Sequence, residues 1–295
     1  MQWDPVQFAR SLTAPALVLG AGGMLGRAWL DLLESAGVKH HGAGRSEIDI
    51  TRDESVRAIA NGPWRTVINC AAWTDVDGAE ANEAAAEEVN GRGVARLAAA
   101  CRGRRGSPAL LVHYSTDYVF SGEAERPYAV DEPRRPLNAY GRSKAAGEEA
   151  LEASGAEHLL VRTSWLYAPW GKNFVRTIAG LARQREVLRV VNDQRGRPTS
   201  AEHLARATAA LLAAGERGTR HVTDGGECTW FEFAAEVVRL TGANCRVEPC
   251  TTAEFPRPAR RPAYSVLDLS RTEAAIGPMP PWRDNLAGVV SRLEP

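Results

Sequence analysis

Tyr140-Gly-Arg-Ser-Lys144 sets a phenol and an ammonium group on one face of the helix expected to carry them. A free tyrosine ionises at about pH 10, and a neighbouring cation favours its phenolate. Lys144 is therefore expected to bring Tyr140 closer to the working range of a proton donor. Such a pair can protonate a carbonyl oxygen while hydride reaches the carbonyl carbon. Thr116 follows the apolar run 109–115 and can offer its hydroxyl to the same oxygen. Thr116, Tyr140 and Lys144 are the candidate catalytic residues. Tyr-x-x-x-Lys also arises by chance in helices, so its weight comes from the other motifs in the chain.

The first of these is Gly20-Ala-Gly-Gly-Met-Leu-Gly26, between an apolar run at 15–20 and a helical pattern at 26–36. A tight strand-to-helix turn leaves no room for Cβ atoms, and the free N–H groups of the helix N-terminus suit a pyrophosphate. Gly20, Gly23, Met24, Leu25 and Gly26 are thus candidate cofactor contacts. About twenty residues further on, a dinucleotide fold commonly places an acid for the ribose 2′-hydroxyl. This chain has Gly44-Arg45-Ser46 there. A guanidinium suits a 2′-phosphate, which points to NADPH and leaves NADH open. Asp49 and Ile50 are candidate adenine contacts, and the small residues Ala71 and Ala72 would let the cofactor lie across the next strand end.

The elements that must position these residues alternate. Strand-like runs at 15–20, 38–44, 65–72, 109–115 and 158–162 are separated by helical patterns at 26–36, 53–60, 79–101 and 140–153. This predicts an α/β fold, a doubly wound parallel sheet of the NAD(P)-binding Rossmann kind. Beyond Thr163 helical segments at 174–185, 201–214 and 230–241 are joined by Gly/Pro-rich connections, and 249–262 reads as an irregular loop. The reading is a dinucleotide-binding domain over 1–165 with a return segment around 190–222. A smaller C-terminal α/β substrate lobe takes 166–189 and 223–295.

Lys+Arg and Asp+Glu both number 36, so the broad positive field used for nucleic acid is absent. The 5 cysteines lack Cys-x-x-Cys spacing and the 6 histidines lack metal-ligand spacing, so reduced thiols and no metal are expected. The first fourteen residues lack the apolar run of a signal peptide, and no stretch is long enough to span a bilayer. A cytoplasmic protein with a small-molecule partner is expected, with no nucleic acid or membrane partner. A homodimer is compatible with the sequence but not specified by it.

Several longer segments resemble the extended short-chain dehydrogenase/reductases that act on nucleotide sugars. They are the glycine turn, Val67–Asp77, Val112–Phe120, Pro136–Lys144, Arg162–Tyr167, Asn173-Phe174, Asp193–Thr199 and Arg261–Ser265. The resemblance implies reduction, with NADPH, of the C4 ketone of a dTDP-6-deoxy-4-ketohexose to dTDP-L-rhamnose or a related deoxysugar nucleotide. It gives Thr116, Tyr140 and Lys144 their catalytic roles. It also implies a nucleotide-sugar partner held by Thr74, Ser115, Tyr118 and Trp165, with Asn173 and Arg261 as further candidates. Arg257, Arg260 and Arg261 could pair with a diphosphate or form a solvated charge run. Related dehydratases resemble Thr-Asp-Glu where this chain has Thr116-Asp117-Tyr118; a tyrosine is no ready proton acceptor, so dehydration is disfavoured. Cys70 stands where the family usually has alanine. The alternatives are another nucleotide-sugar 4-ketoreductase, an epimerase, or a non-catalytic NADP-binding regulatory subunit.

Overall fold

The computed structural model describes residues 4–103 and 108–293. Its first half runs α1 (Pro5–Arg10), β1 (Ala16–Leu19), α2 (Met24–Ser35), β2 (His40–Ala43), α3 (Asp53–Asn61), β3 (Thr66–Asn69), α4 (Val76–Ala81), α5 (Glu83–Glu87), α6 (Gly93–Arg102) and β4 (Leu110–Thr116). Then follow α7 (Ala139–Ala153), β5 (His158–Thr163), β6 (Leu166–Tyr167), α8 (Phe174–Ala182), β7 (Val187–Val191), β8 (Arg195–Gly196), β9 (Thr199–Ser200) and α9 (Ala201–Ala213). The chain closes with β10 (Gly218–His221), β11 (Cys228–Thr229), α10 (Trp230–Thr241), β12 (Arg246–Cys250), α11 (Ser270–Ile276) and α12 (Trp282–Val290).

Six parallel strands form one sheet in the order β2-β1-β3-β4-β5-β10. The chain leaves β1 for β2 on one side and returns to β3 on the other. This reversal opens a crevice at the carboxyl ends of β1 and β3, where α/β proteins bind ligands. The inner strands β1, β3, β4 and β5 are buried on both faces because helices cover both. Val18, Val112 and Val161 pack with Trp29, Leu204 and Leu211 from α2 and α9. Their neighbours Leu19, Leu111 and Leu160 point the other way, to Ile59, Leu97 and Leu151 from α3, α6 and α7. The doubly wound sheet read from the sequence is what the chain forms. Ahead of the first strand, α1 packs on α9 and α2; residues 1–3 lie outside the described residues.

A third cluster centres on Phe233, which meets Tyr167, Phe174, Trp230 and Trp282 at ring-centroid distances of 5.5, 5.6, 6.2 and 5.6 Å. It joins α8, α10 and α12, with β7 and β12 paired in parallel beside them. Strand β12 includes Pro249, so the loop expected from 249 begins in a strand. Among the described residues no helix is long and apolar enough to cross a membrane.

The single helix expected over 79–101 is broken. Asn82 leaves helical geometry at φ −137° and ψ 44°, and Glu88–Arg92 forms one π-helical turn between α5 and α6. That wider turn holds Asn90 buried. Its Oδ1 accepts from Trp73 N at 2.9 Å, and its Nδ2 donates to Trp73 O and Ser143 Oγ, both at 3.0 Å. A π turn inside a helix is a recurrent feature of functional sites. Here it ties the crevice wall to α7.

Helix α7 starts at Asn138, whose Oδ1 accepts from Gly141 N at 2.8 Å. Tyr140, Lys144 and Glu148 follow at helical intervals on the face turned to the sheet. Glu148 is fully buried and receives Arg162 from β5, with Nη2 at 2.7 Å and Nε at 2.9 Å. Burial opposes the Glu148 charge, yet the Arg162 hydrogen bonds and charge hold its pKa below the ordinary value. Arg134 adds a bond to Glu148 at 3.0 Å, and Arg162 Nη1 donates to Val130 O at 2.8 Å. Replacing Arg162 with methionine would leave Glu148 with a buried charge short of its main partner. Urea titration should show a loss of about 3–5 kcal/mol; a loss below about 1 kcal/mol would show that the pair is dispensable.

Candidate active site

The crevice is a cleft of about 780 Å³ that runs from the glycine turn to the C-terminal lobe. That volume lies within the range of small-molecule sites. At one end Gly20 has φ +70°, and a Cβ there would lie 2.7 Å from Ala71 N. A Cβ on Gly26 would lie 2.2 Å from Gly20 O, so α2 can start against β1 only without a side chain at 26. Helix α2 has Gly23 as N-cap and no side-chain capping bond. Its first N–H groups and positive dipole end are left for an anion, and Gly22 faces open space. This cradle fits a pyrophosphate.

Gly20, Gly23, Met24, Leu25, Arg45, Asp49, Ile50, Ala71 and Ala72 all line the cleft, whereas Gly26 lies behind it as a packing glycine. The Arg45 side chain is 81% exposed at the rim, with Nε 3.2 Å from Asp49 Oδ2. Asp49 is held in turn by Thr51, whose hydroxyl and N–H reach Oδ1 at 2.7 and 2.9 Å.

The catalytic candidates converge at the middle of the cleft. Thr116 ends β4, and its Oγ1 donates to Asp117 Oδ1 at 2.9 Å and accepts from Tyr118 N at 3.2 Å. Tyr140 lines the same cleft as Thr116. Lys144 is buried, and its Nζ donates to Tyr114 O on β4 at 2.6 Å. The electrostatics differ from the expectation. Burial pushes the Tyr140 phenol up, the Asp117 charge adds to this, and the nearby Thr116 hydroxyl opposes them. Lys144 turns one N–H to a backbone carbonyl and does not offset the burial of the phenol. Burial also lowers Lys144 itself to about 8, against an ordinary value of 10.5. Asp117 is raised by burial to about 6.

Thr74, Ser115, Tyr118, Trp165 and Asn173 line the far part of the cleft. Trp165 takes the left-handed φ of 48°, rare for a bulky residue. Two contacts hold it there. It stacks on Trp230 at 3.6 Å, and Gly196 makes room, since a Cβ at 196 would lie 2.7 Å from Trp165 Cε2. The Asn173 amide is spent on its own loop: it caps Arg176 N at 3.2 Å and donates to Ala168 O at 2.9 Å. Its part in the site is to shape the wall. Arg261 does not line the cleft; its Nη1 is bonded to Asp77 Oδ1 at 2.6 Å, with Arg257 3.9 Å from the other oxygen. The Pro-rich loop is thereby strapped to the start of α4, because the half-buried Asp77 carboxylate offers these guanidinium groups a partner before solvent does.

The chain matches the model of the RmlD substrate binding domain over residues 15–294. It belongs to that family. A dTDP-4-dehydrorhamnose reductase of Streptomyces griseus is 46% identical over 276 residues, covering 90% of each chain. A dTDP-4-keto-6-deoxy-D-glucose reductase of Streptomyces niveus is 44% identical over 271 residues, covering 90% of this chain and 93% of the relative. The crystal structure of dTDP-4-dehydrorhamnose reductase from Bacillus anthracis in complex with NADP superposes with a TM-score of 0.89 at 33% identity, covering 94% of this chain and 99% of that one. The sequence motifs thus point to the right family.

Sequence reasoning missed Asn90, Trp230 and Asp77. A polar residue inside an Ala/Glu-rich helical run was the one available signal for Asn90. Trp230 reads as the first residue of an amphipathic helix, and nothing local says that it meets Trp165. The buried Lys144 makes a testable demand on stability. Its pKa is depressed in the fold, so the protonated form destabilises the native state fully below about pH 8 and less as pH rises from about 8 towards 10.5. Wild type should therefore gain stability over that window in chemical denaturation, and Lys144→Met should lack the gain. An equal slope in both proteins would show that Lys144 ionises normally.

Proposed function

We propose that this chain is an NADPH-dependent reductase of the C4 ketone of a dTDP-6-deoxy-4-ketohexose, giving dTDP-L-rhamnose or a related deoxysugar nucleotide. The observation that carries the reading is the gathering of Thr116, Tyr140 and Lys144 in the same cleft as an uncapped glycine cradle. The activities named for the two Streptomyces relatives support it. Residues 1–165 with 190–222 hold the cofactor, and 166–189 with 223–295 close over the substrate.

The bound nicotinamide supplies hydride to the ketone carbon. Gly20, Gly23 and the N-terminus of α2 hold the pyrophosphate, and Arg45 turns from Asp49 to a 2′-phosphate. Lys144 holds the nicotinamide ribose. Tyr140 gives its proton to the ketone oxygen, and Thr116 orients that oxygen. A phenol held protonated by burial is a ready donor only when the acceptor becomes an alkoxide, so proton transfer follows the growth of charge on oxygen. Trp165 and Tyr118 face the sugar, and the wall formed by Trp165 and Trp230 excludes water from it.

The S. niveus relative keeps a second 4-ketosugar in play as substrate. A panel of nucleotide 4-ketosugars, assayed with NADPH and NADH and with products identified by NMR, decides among them. Net consumption of NADPH separates reduction from epimerisation. Absence of turnover across the panel, with NADPH bound, would favour a regulatory binder. Tyr140→Phe should lower kcat about 10²–10⁴-fold while leaving NADPH affinity nearly intact. Turnover at the wild-type rate would remove Tyr140 from the acid role. Arg45→Ala should weaken NADPH about tenfold or more and leave NADH affinity unchanged; equal losses for both cofactors would place Arg45 away from the 2′-phosphate.

A further inference from the structure

The Thr116 hydroxyl has one proton and two acceptor positions, and the structure shows where the proton and one acceptor position are committed. Oγ1 accepts from Tyr118 N at 3.2 Å and lies 2.9 Å from Asp117 Oδ1. A carboxylate can only accept, so an ionised Asp117 takes the Thr116 proton. Thr116 is then left with a lone pair and no proton to give. The Thr116 hydroxyl needed at the ketone oxygen would point away from it.

We propose that Asp117 is a positioning residue that sets the direction of the Thr116 hydroxyl, and that the site is competent when the Asp117 carboxyl is protonated. The inference rests on the catalytic reading given above. With a proton on Oδ1, Asp117 donates to Thr116 Oγ1. The two acceptor positions of Thr116 are filled by Asp117 and Tyr118 N, and its own proton is free for the reacting oxygen. The carboxylate takes up one proton from solvent, and the direction of its hydrogen bond with Thr116 reverses.

The surroundings of Asp117 suit a neutral carboxyl. The residue is 3% exposed and lines the cleft, and its Oδ2 has no partner of hydrogen-bonding geometry among the described residues. The groups facing it are the Thr116 hydroxyl on β4, the Tyr118 phenol on its own turn, the Tyr140 phenol from α7 and the Ser265 hydroxyl from the C-terminal segment. The Asp77–Arg261 pair lies beyond Tyr118. Among the described residues no cation pairs with Asp117. Its raised pKa, about 6, has burial as first cause, and a substrate filling the cleft adds to that burial.

A donor aimed at a growing alkoxide acts on kcat more than on KM. Wild-type kcat should therefore fall about tenfold per pH unit above a break set by Asp117, as its carboxyl ionises. The experiment is the pH profile of kcat and KM with NADPH and the best 4-ketosugar, for wild type, Asp117→Asn, Thr116→Val and the double variant. Thermal midpoints and NADPH dissociation constants establish that each variant is folded. The amide introduced by Asp117→Asn remains a donor at every pH, so this variant should lose the alkaline limb. Thr116→Val should lower kcat and lose the limb too, and Asp117→Asn should add nothing on that background. Persistence of the limb in either single variant would overturn the inference, as would a wild type without it. An Asp117→Asn protein that binds NADPH and is inactive at every pH would overturn it as well. Should Asp117→Asn not fold, Thr116→Val decides. Full turnover by Tyr140→Phe would overturn this inference together with the proposed function; an inactive Tyr140→Phe alongside an unaltered limb in Asp117→Asn overturns the inference alone.

Discussion

The buried pair of Arg162 and Glu148 sets where α7 lies on the sheet, and the site depends on that placement. Glu148 is the last of three residues, after Tyr140 and Lys144, that succeed one another on a single helical face. Once Arg162 from β5 holds Glu148 at 2.7 Å, Lys144 meets the backbone of β4 and Tyr140 meets the end of the same strand. A shift of α7 by one residue would rotate all three away together. Buried ion pairs contribute little net stability over an apolar alternative, but their geometry is demanding. In this chain the geometry is what the site uses.

The same economy governs the walls of the cleft. Backbone groups that a loop leaves unpaired are taken up by a few buried amides: Asn90 holds Trp73 and reaches Ser143, while Asn138 caps α7 and donates to Arg260 O at 2.9 Å. Trp165 is held in a left-handed conformation by a stack on Trp230 from the C-terminal lobe. The aromatic wall therefore forms only when α10 packs against the end of β5. Strain of this kind persists where the surroundings over-determine it, and it concentrates at sites that bind ligands.

Burial decides the electrostatics. A phenol, a carboxyl and an ammonium line one cleft, and each is driven towards its neutral form: Tyr140 up, Asp117 up and Lys144 down. Residue spacing alone suggests the Lys144 charge beside the phenol. The structure instead directs Nζ to Tyr114 O, because the carbonyl of β4 is the nearest acceptor for a lysine that cannot reach water. The sequence identified the groups, and solvent exclusion set their charges.

Much of this protein is determined by the sequence alone. Apolar runs punctuated by glycine specify strands buried on both faces, and the alternation with amphipathic helices leaves few ways to stack them. The glycine turn and the Tyr140/Lys144 spacing are local, since a turn and a helix face are set by residues close in the chain. The tertiary structure decided what depends on residues far apart: the break at Glu88–Arg92 that buries Asn90, the strap from Asp77 to Arg261, and the stack of Trp165 on Trp230. It also decided that Asn173 spends its amide on its own loop and that Asp117 pairs with no cation among the described residues. Partners of buried polar groups are chosen by proximity after the chain has collapsed, and proximity between residues distant in the chain leaves no periodic mark in a sequence.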